Sequence, residues 1–332
     1  MSGALHKSSM QILQHSINFA ARFGFLTKDI FFEQLCHKKK SQQYFHWGKL
    51  INDGYFFQSK KLPGLIYLTP RGKRLTQFPI APHKNLYSLS HDIIVANIFL
   101  QLEATGKLHK SWTEFELSKD PYQTCLLLGV KRIEKLPDLL VDLKSASKTV
   151  RIAIEIENTL KTKDRYYRIS QNYLSMCNVS LLLYGCSSTA IECSVIAAFS
   201  DPIFLREQKT PITFSNSEFK KSHLGFEARL LDRKMPLKMM LAAALEIPTA
   251  ELIENPENNW NQFRENKTEI NFEKQSFSKE DQELKPARPT PAPWQSLRDH
   301  PLPTNTLREG GHEPGAGVGR GPDLTGEEEL KE

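Results

Sequence analysis

The sequence contains no uninterrupted apolar run near the ~20 residues that a bilayer-spanning helix requires, and hydrophobic residues make up only 39% of it. It has no CxxC pair either. The five cysteines, Cys36, Cys125, Cys177, Cys186 and Cys193, are odd in number and scattered, which argues against both a zinc framework and a disulfide scaffold. They sit among apolar neighbours, where a buried inert thiol is the usual state and a nucleophilic one the exception. Residues 1–20 show no basic start, continuous apolar stretch or small-residue cleavage site, so no secretory signal is expected there. The expectation is a cytoplasmic protein without a membrane span. No internal repeat is visible.

What is present is a charge gradient. Residues 1–80 hold 12 Lys/Arg against 3 Asp/Glu, residues 81–248 hold 22 against 18, and residues 249–332 hold 10 against 17. A basic head suits a polyanion and an acidic end suits a solvated tail. The alternative for the Lys38-Lys39-Lys40 run is a merely soluble loop.

Within residues 1–80, Met10–Gly24 carries Ile12, Ile17, Phe19, Ala20 and Phe23 at mostly helical spacing and ends on glycine. Thr27 is expected to cap a second helix, and Ser41 a third that runs to Asn52-Asp53-Gly54. Tyr55-Phe56-Phe57 and Leu65–Leu68 are β-prone runs joined by a polar connection, which predicts a hairpin with Lys60 and Lys61 near its tip. Three helices followed by a hairpin is the order of a winged helix-turn-helix, and residues 1–80 are assigned to such a domain. The third helix is then the recognition helix, with Gln42, Gln43, Tyr44, His46 and Lys49 as candidates for DNA contact and Lys60 and Lys61 for phosphates. The competing role is protein docking.

An apolar helix is expected from His91 to Gly106. Beyond it come Trp112–Leu117, an extended run at 131–143, a strand at 150–158, a basic helix at 159–176 and a strand at 179–185, an alternation that predicts an α/β core. Residues 191–199 are ambiguous between helix and strand, and 235–246 reads as a short helix. Residues 81–248 are assigned to this second domain and 249–332 to a mostly disordered, Pro/Gly-rich tail.

Chemistry is concentrated where Pro137-Asp138 is followed, 17 residues after the Asp, by Glu155-Ile156-Glu157. Glu155 and Glu157 alternate with apolar residues and so share one strand face. Paired strands would bring Asp138 and Glu155 within reach of one divalent ion, with the carbonyl of Ile156 as a further hard oxygen. The bland alternative is an ordinary amphipathic edge strand, although adjacent carboxylates with no cation would repel.

These residues resemble the PD-(D/E)XK nuclease superfamily, in which an Asp is followed by an acid-x-Lys triplet on the next strand. Glu157 stands where that Lys is expected; either Lys161 is a migrated lysine or Glu157 is an added ligand. The winged helix, Ser90-His91-Asp92 opening a long helix, Trp112–Leu117, the Pro-Asp pair, and the ExE strand leading to Lys161, Arg165, Arg168 and Tyr173 resemble the replication-relaxation family, which includes MobC-type plasmid relaxases. The resemblance spans roughly residues 10–185. It implies an α+β chain with a PD-(D/E)XK-like nuclease domain. Asp138, Glu155 and Glu114 would hold Mg²⁺ or Mn²⁺, Glu116 being the alternative to Glu114. Glu157 and Lys161 would assist, and Arg165 and Arg168 would face DNA.

The implied reaction is nicking of plasmid DNA at an origin of transfer, with an accessory DNA-binding protein and a coupling protein as further partners. Most relaxases use a tyrosine nucleophile with a HxH-type metal motif, which is missing here. Tyr166, Tyr167 and Tyr173 are left with packing or stacking on an unpaired base, or a covalent role. Two other functions are weighed: a non-catalytic winged-helix replication or transcription factor, and a restriction-type endonuclease.

Overall fold

The computed structural model describes residues 9–84, 86–219 and 224–252. All of them lie within the first of two units, residues 1–271 and 272–332, so the tail expected from residue 249 falls outside the described residues beyond Leu252.

Helix α1 (Ser9–Phe23) turns Ile12, Ile17, Phe19 and Phe23 inward, as their spacing predicts. It ends at Gly24, where φ is +80° and a Cβ would lie 2.2 Å from the carbonyl oxygen of Pro82. Only glycine fits such a turn. A short strand β1 (Leu26–Thr27) follows, and the Thr27 side chain accepts from Ile30 N to cap α2 (Lys28–Ile30), which continues as a π-helical turn, Phe31–Leu35. Helix α3 (Lys40–Asn52) begins before the expected cap: Lys39 holds the N-cap position without a side-chain bond, and Ser41 lies inside the helix.

The hairpin forms from β2 (Phe56–Gln58) and β3 (Leu65–Leu68), and β1 adds a third antiparallel strand in the order β1-β3-β2. Thr69 then caps α4 (Pro70–Lys73). Helix α5 (Leu86–Ala104) starts ahead of His91 and buries Ile94, Val95, Ala96, Ile98, Phe99, Leu100 and Leu102. A helix apolar on most sides has to be enclosed by protein. Here one continuous core runs from Ile12 through α5 to Leu252.

The rest is built on a seven-stranded mixed sheet. After β4 (Leu108–Thr113), helices α6 (Glu114–Lys119) and α7 (Pro121–Leu128) lead to β5 (Leu139–Lys144), which pairs antiparallel with both β4 and β6 (Thr149–Glu157). Helix α8 (Lys163–Ser175) carries the chain to β7 (Leu181–Cys186), parallel to β6; α9 (Thr189–Ala198) and α10 (Pro202–Arg206) carry it to β8 (Ile212–Ser215), parallel to β7. Parallel neighbours require such crossovers. After α11 (Asn216–Phe219), β9 (Glu227–Leu230) and β10 (Arg233–Pro236) close the order β10-β9-β8-β7-β6-β5-β4, and α12 (Leu237–Leu245) covers the shared core.

The α+β class and the strand–helix–strand alternation are therefore present. Three local expectations change. The run 131–143 becomes strand only at Leu139, and the ambiguous stretch at 191–199 is mostly helix. The basic helix starts at Lys163 behind a Thr162 cap, which leaves Lys161 ahead of it. No helix among the described residues is long and apolar enough to cross a membrane.

Candidate active site at one end of the sheet

The register of three strands builds the site. Thr113 pairs with Leu139 and Leu139 with Ile154. One step further along both ladders stand Glu114, Asp138 and Glu155, and the Glu114 N–H donates to the Asp138 carbonyl at 3.2 Å. The parallel pairing of β6 with β7 then sets Tyr184 beside Glu155. Alternation along β6 sends Ile152, Ile154 and Ile156 into the large core and Ala153, Glu155 and Glu157 to the opposite face, where Ala153 and Tyr184 join a second apolar cluster with α8.

Local chemistry holds the first member of this row in place. Thr113 and Glu116 form a reciprocal capping box at the start of α6, fixing Glu114 in the first helical turn. The other oxygen of Glu116, the alternative acid, receives Arg22 Nε at 2.7 Å. Glu116 is thereby part of a structural ion pair, and Glu114 is the acid beside Asp138.

Each acid in the row has a defined partner. Asp138 Oδ2 accepts from the Ile156 N–H at 2.8 Å and lies 3.1 Å from His91 Nε2. His91 Nδ1 faces Asp92 Oδ1 at 3.4 Å, and Lys84 Nζ reaches the same oxygen at 3.1 Å. Glu155, only 1% exposed, is bonded by the Lys135 ammonium on one oxygen and the Tyr173 hydroxyl on the other. Glu157 pairs with Lys161.

Burial raises the Glu155 carboxyl to about 7 in spite of Lys135. Glu114 is raised by burial and by the charge of Asp138. Burial acts on Asp138 in the same direction, but His91, Lys135 and the Ile156 N–H outweigh it and hold Asp138 below the usual carboxylate range. For His91 burial lowers the value, yet the bonds and charges of Asp138 and Asp92 lift it to about 10. Lys135 is pulled down by burial and raised overall by Glu155 and Asp138.

The structure thus brings Glu114, Asp138 and Glu155 together and places Glu157 two residues further along β6, with Lys161 beyond the strand's end. Lys161 bonds Glu157 and makes no bond to Asp138 or Glu155. The ammonium that enters the row belongs to Lys135, three residues ahead of Asp138, a position no periodic pattern marks. His91 is a motif member with no role assigned from the sequence, and Tyr173, expected to pack, stack or act covalently, is the hydroxyl that bonds Glu155.

The expected DNA contacts lie elsewhere on the surface. On α3, Gln42, Tyr44 and Lys49 are exposed and His46 is half-buried; Lys60 and Lys61 are exposed between β2 and β3, as are Arg165 and Arg168 on α8. Burial, Lys38 and Lys49 lower the His46 value. The Gln43 carboxamide donates to the carbonyls of Phe32 and Cys36, both at 2.8 Å, and so holds α3 against the preceding turn.

The donor set suits a hard divalent cation, since carboxylate oxygens dominate it. Among the described residues no three His, Cys, Asp or Glu side chains form a ready-made metal cage. The positive charge among these acids is instead the Lys135 ammonium, whose charge couples to Glu155, Asp138 and Glu114. An ammonium surrounded by carboxylates marks a locus that favours a cation. Beside it the buried Tyr184 hydroxyl has no hydrogen-bond partner among the described residues. No family model matches the chain, and no curated protein or solved structure matches it either.

Proposed function

We propose that this chain is a metal-dependent DNA endonuclease that nicks one strand of plasmid DNA at an origin of transfer, in the manner implied by its resemblance to the PD-(D/E)XK and replication-relaxation families. The observation that carries the proposal is the row of Glu114, Asp138 and Glu155 around the half-buried Lys135 ammonium, where β4, β5 and β6 adjoin at one end of a mixed sheet. An Asp at the entrance of one strand with a Glu on the next is the arrangement those families imply. The winged-helix order of residues 9–73 supports a DNA target.

Asp138, Glu155 and Glu114 would hold Mg²⁺ or Mn²⁺. When bound, such an ion supplies charge stabilisation at phosphoryl oxygens and a more acidic water. The chain's own residues do the positioning. His91 and the Ile156 N–H fix the Asp138 carboxylate, and Tyr173 orients Glu155. Lys135, once displaced from Glu155, is placed to neutralise a phosphoryl oxygen, the part expected of Lys161. Sequence choice falls to Gln42, Tyr44, His46 and Lys49 on α3. Lys60, Lys61, Arg165 and Arg168 contact phosphates. Gln43 is left out because its donors are engaged. Plasmid DNA is the substrate, and an accessory mobilisation protein and a coupling protein are the further partners that the resemblance implies.

One observation favours a second function, a non-catalytic winged-helix DNA-binding protein. Asp138, Glu155 and Glu157 are each satisfied internally by His91, Lys135 and Lys161, so the fold closes its acid row without a metal. Incubating supercoiled plasmid with the purified chain and Mg²⁺ or Mn²⁺ separates the possibilities. Open circles are expected; linear product would indicate a restriction-type enzyme, and unchanged supercoils together with retarded migration a binder.

A further inference from the structure

Between α8, α9 and α10 lies a cleft of about 380 Å³ that neither the acid row nor the winged helix uses. Its volume falls in the range of small-ligand sites. Its apolar lining comes from the buried Tyr166 and Phe204 and the alanine pair Ala197 and Ala198. Tyr167 lines the same cleft, one turn from Lys163 on the same helix face and 59% exposed. A ring so exposed leaves a face open on which an unpaired base can stack. Lys161 and Lys163 form the rim.

The rim has one acid, Asp201, whose carboxylate accepts from Ile203 N at 2.9 Å as the cap of α10. Ser194 and Ser200 each donate to a backbone carbonyl one turn back, Ala190 and Ala197, so both hydroxyl oxygens remain acceptors at the cleft. An apolar cleft with an exposed ring, the Lys163 ammonium and two acceptors matches a nucleobase joined to a phosphate. Paired bases cannot enter a slot of this kind, whereas an unpaired one can. The cleft adjoins the acid row through Lys161, which bonds Glu157, and Glu157 stands about 7 Å along β6 from Glu155 at the usual strand rise.

We infer that the α8–α9–α10 cleft binds one unpaired nucleotide of the DNA strand beside the phosphodiester to be cut, with its base stacked on Tyr167 and its phosphate on Lys163. The inference rests on the nicking function proposed above and adds that the enzyme works on locally opened DNA.

The test uses the full chain with chelator present, so that binding is read without cleavage. Fluorescence anisotropy compares a labelled single-stranded oligodeoxythymidylate with a blunt duplex at fixed salt, for wild type, Tyr167→Ala and Lys163→Gln. Tyr167→Ala is expected to weaken single-strand binding about tenfold, in line with the loss of one base stack, and to leave duplex binding unchanged. Both side chains are on the surface, and equal melting temperatures would verify intact folding. Photocrosslinking of a halogenated-uracil oligonucleotide should map to Tyr166 or Tyr167.

Unchanged single-strand affinity in Tyr167→Ala, equal losses for both DNAs, or crosslinks confined to α3 would overturn the inference. Tighter crosslinking of an oligoribonucleotide than of its DNA counterpart would overturn the choice of DNA. Plasmid nicking by wild type is scored in parallel. Nicking without the Tyr167 effect removes this inference alone, whereas the Tyr167 effect without nicking removes the catalytic proposal and leaves the nucleotide site.

Discussion

At the scale of single residues, the acid row and its cations make separable predictions. Asp138→Ala and Glu155→Ala should each abolish plasmid nicking while duplex affinity stays within about twofold, because affinity comes mainly from Lys and Arg on phosphates; gel shifts beside the nicking assay read both. Lys135→Met should slow nicking by about 10²-fold, and Lys161→Met by much less, since Lys161 bonds only Glu157. Equal losses in the two lysine variants would restore Lys161 to the role the sequence suggested. The metal-free protein should also show a characteristic pH response. His91 is raised from 6.5 to about 10, so its stabilising contribution is full below 6.5 and lost as pH rises towards 10. Glu155, raised from 4.5 to about 7, has the same sign and loses its contribution between those values. Melting temperature should therefore fall from mildly acid to alkaline pH, and His91→Gln should flatten the upper part of that fall. Asp138 and Glu155 were legible in the sequence because strand alternation is a local pattern. Lys135 and His91 were not, since a loop and the start of a distant helix bring them in.

Among elements, the ones the sequence revealed are those with a clean period. Helix α1, the β2–β3 hairpin, β6, β7 and α12 each carry enough apolar repeats to identify themselves. Strand β1 is two residues long, and β9 and β10 are four each and half polar, too little for a pattern to emerge. Helix α7 is marked by Asp120, Pro121 and a left-handed Gly129, which are caps rather than a period. The turn after α1 offers a direct check. Gly24→Ala combines a positive φ with a backbone clash at Pro82 and should cost more than about 1 kcal/mol, visible as a lower urea midpoint. The β2–β3 connection is tested by salt. Replacing Lys60 and Lys61 with Ala should weaken specific and non-specific DNA binding alike and reduce the slope of log affinity against log salt by up to about two.

For the whole described molecule, Arg22 is the telling contact. It leaves α1 with 6% exposure, forks onto Glu116, donates to the Ser111 carbonyl at 2.9 Å and lies over the rings of Phe78 and Phe99. Arg22→Met strands a buried carboxylate and should cost about 3–5 kcal/mol, whereas the double variant with Glu116→Gln should recover much of that loss; thermal unfolding of the four proteins gives the cycle. No sequence pattern linked residues 22 and 116, because the pair closes across the α5 core that both halves share. That shared core also makes the molecule a ruler. With α3 and the acid row set in one body, the nicking function proposed above would make the spacing between recognised bases and the cut bond a property of the protein. Inserting about half a helical turn, ~5 bp, beside the recognised sequence should leave the nick at its original count of nucleotides from that sequence, now in new surroundings.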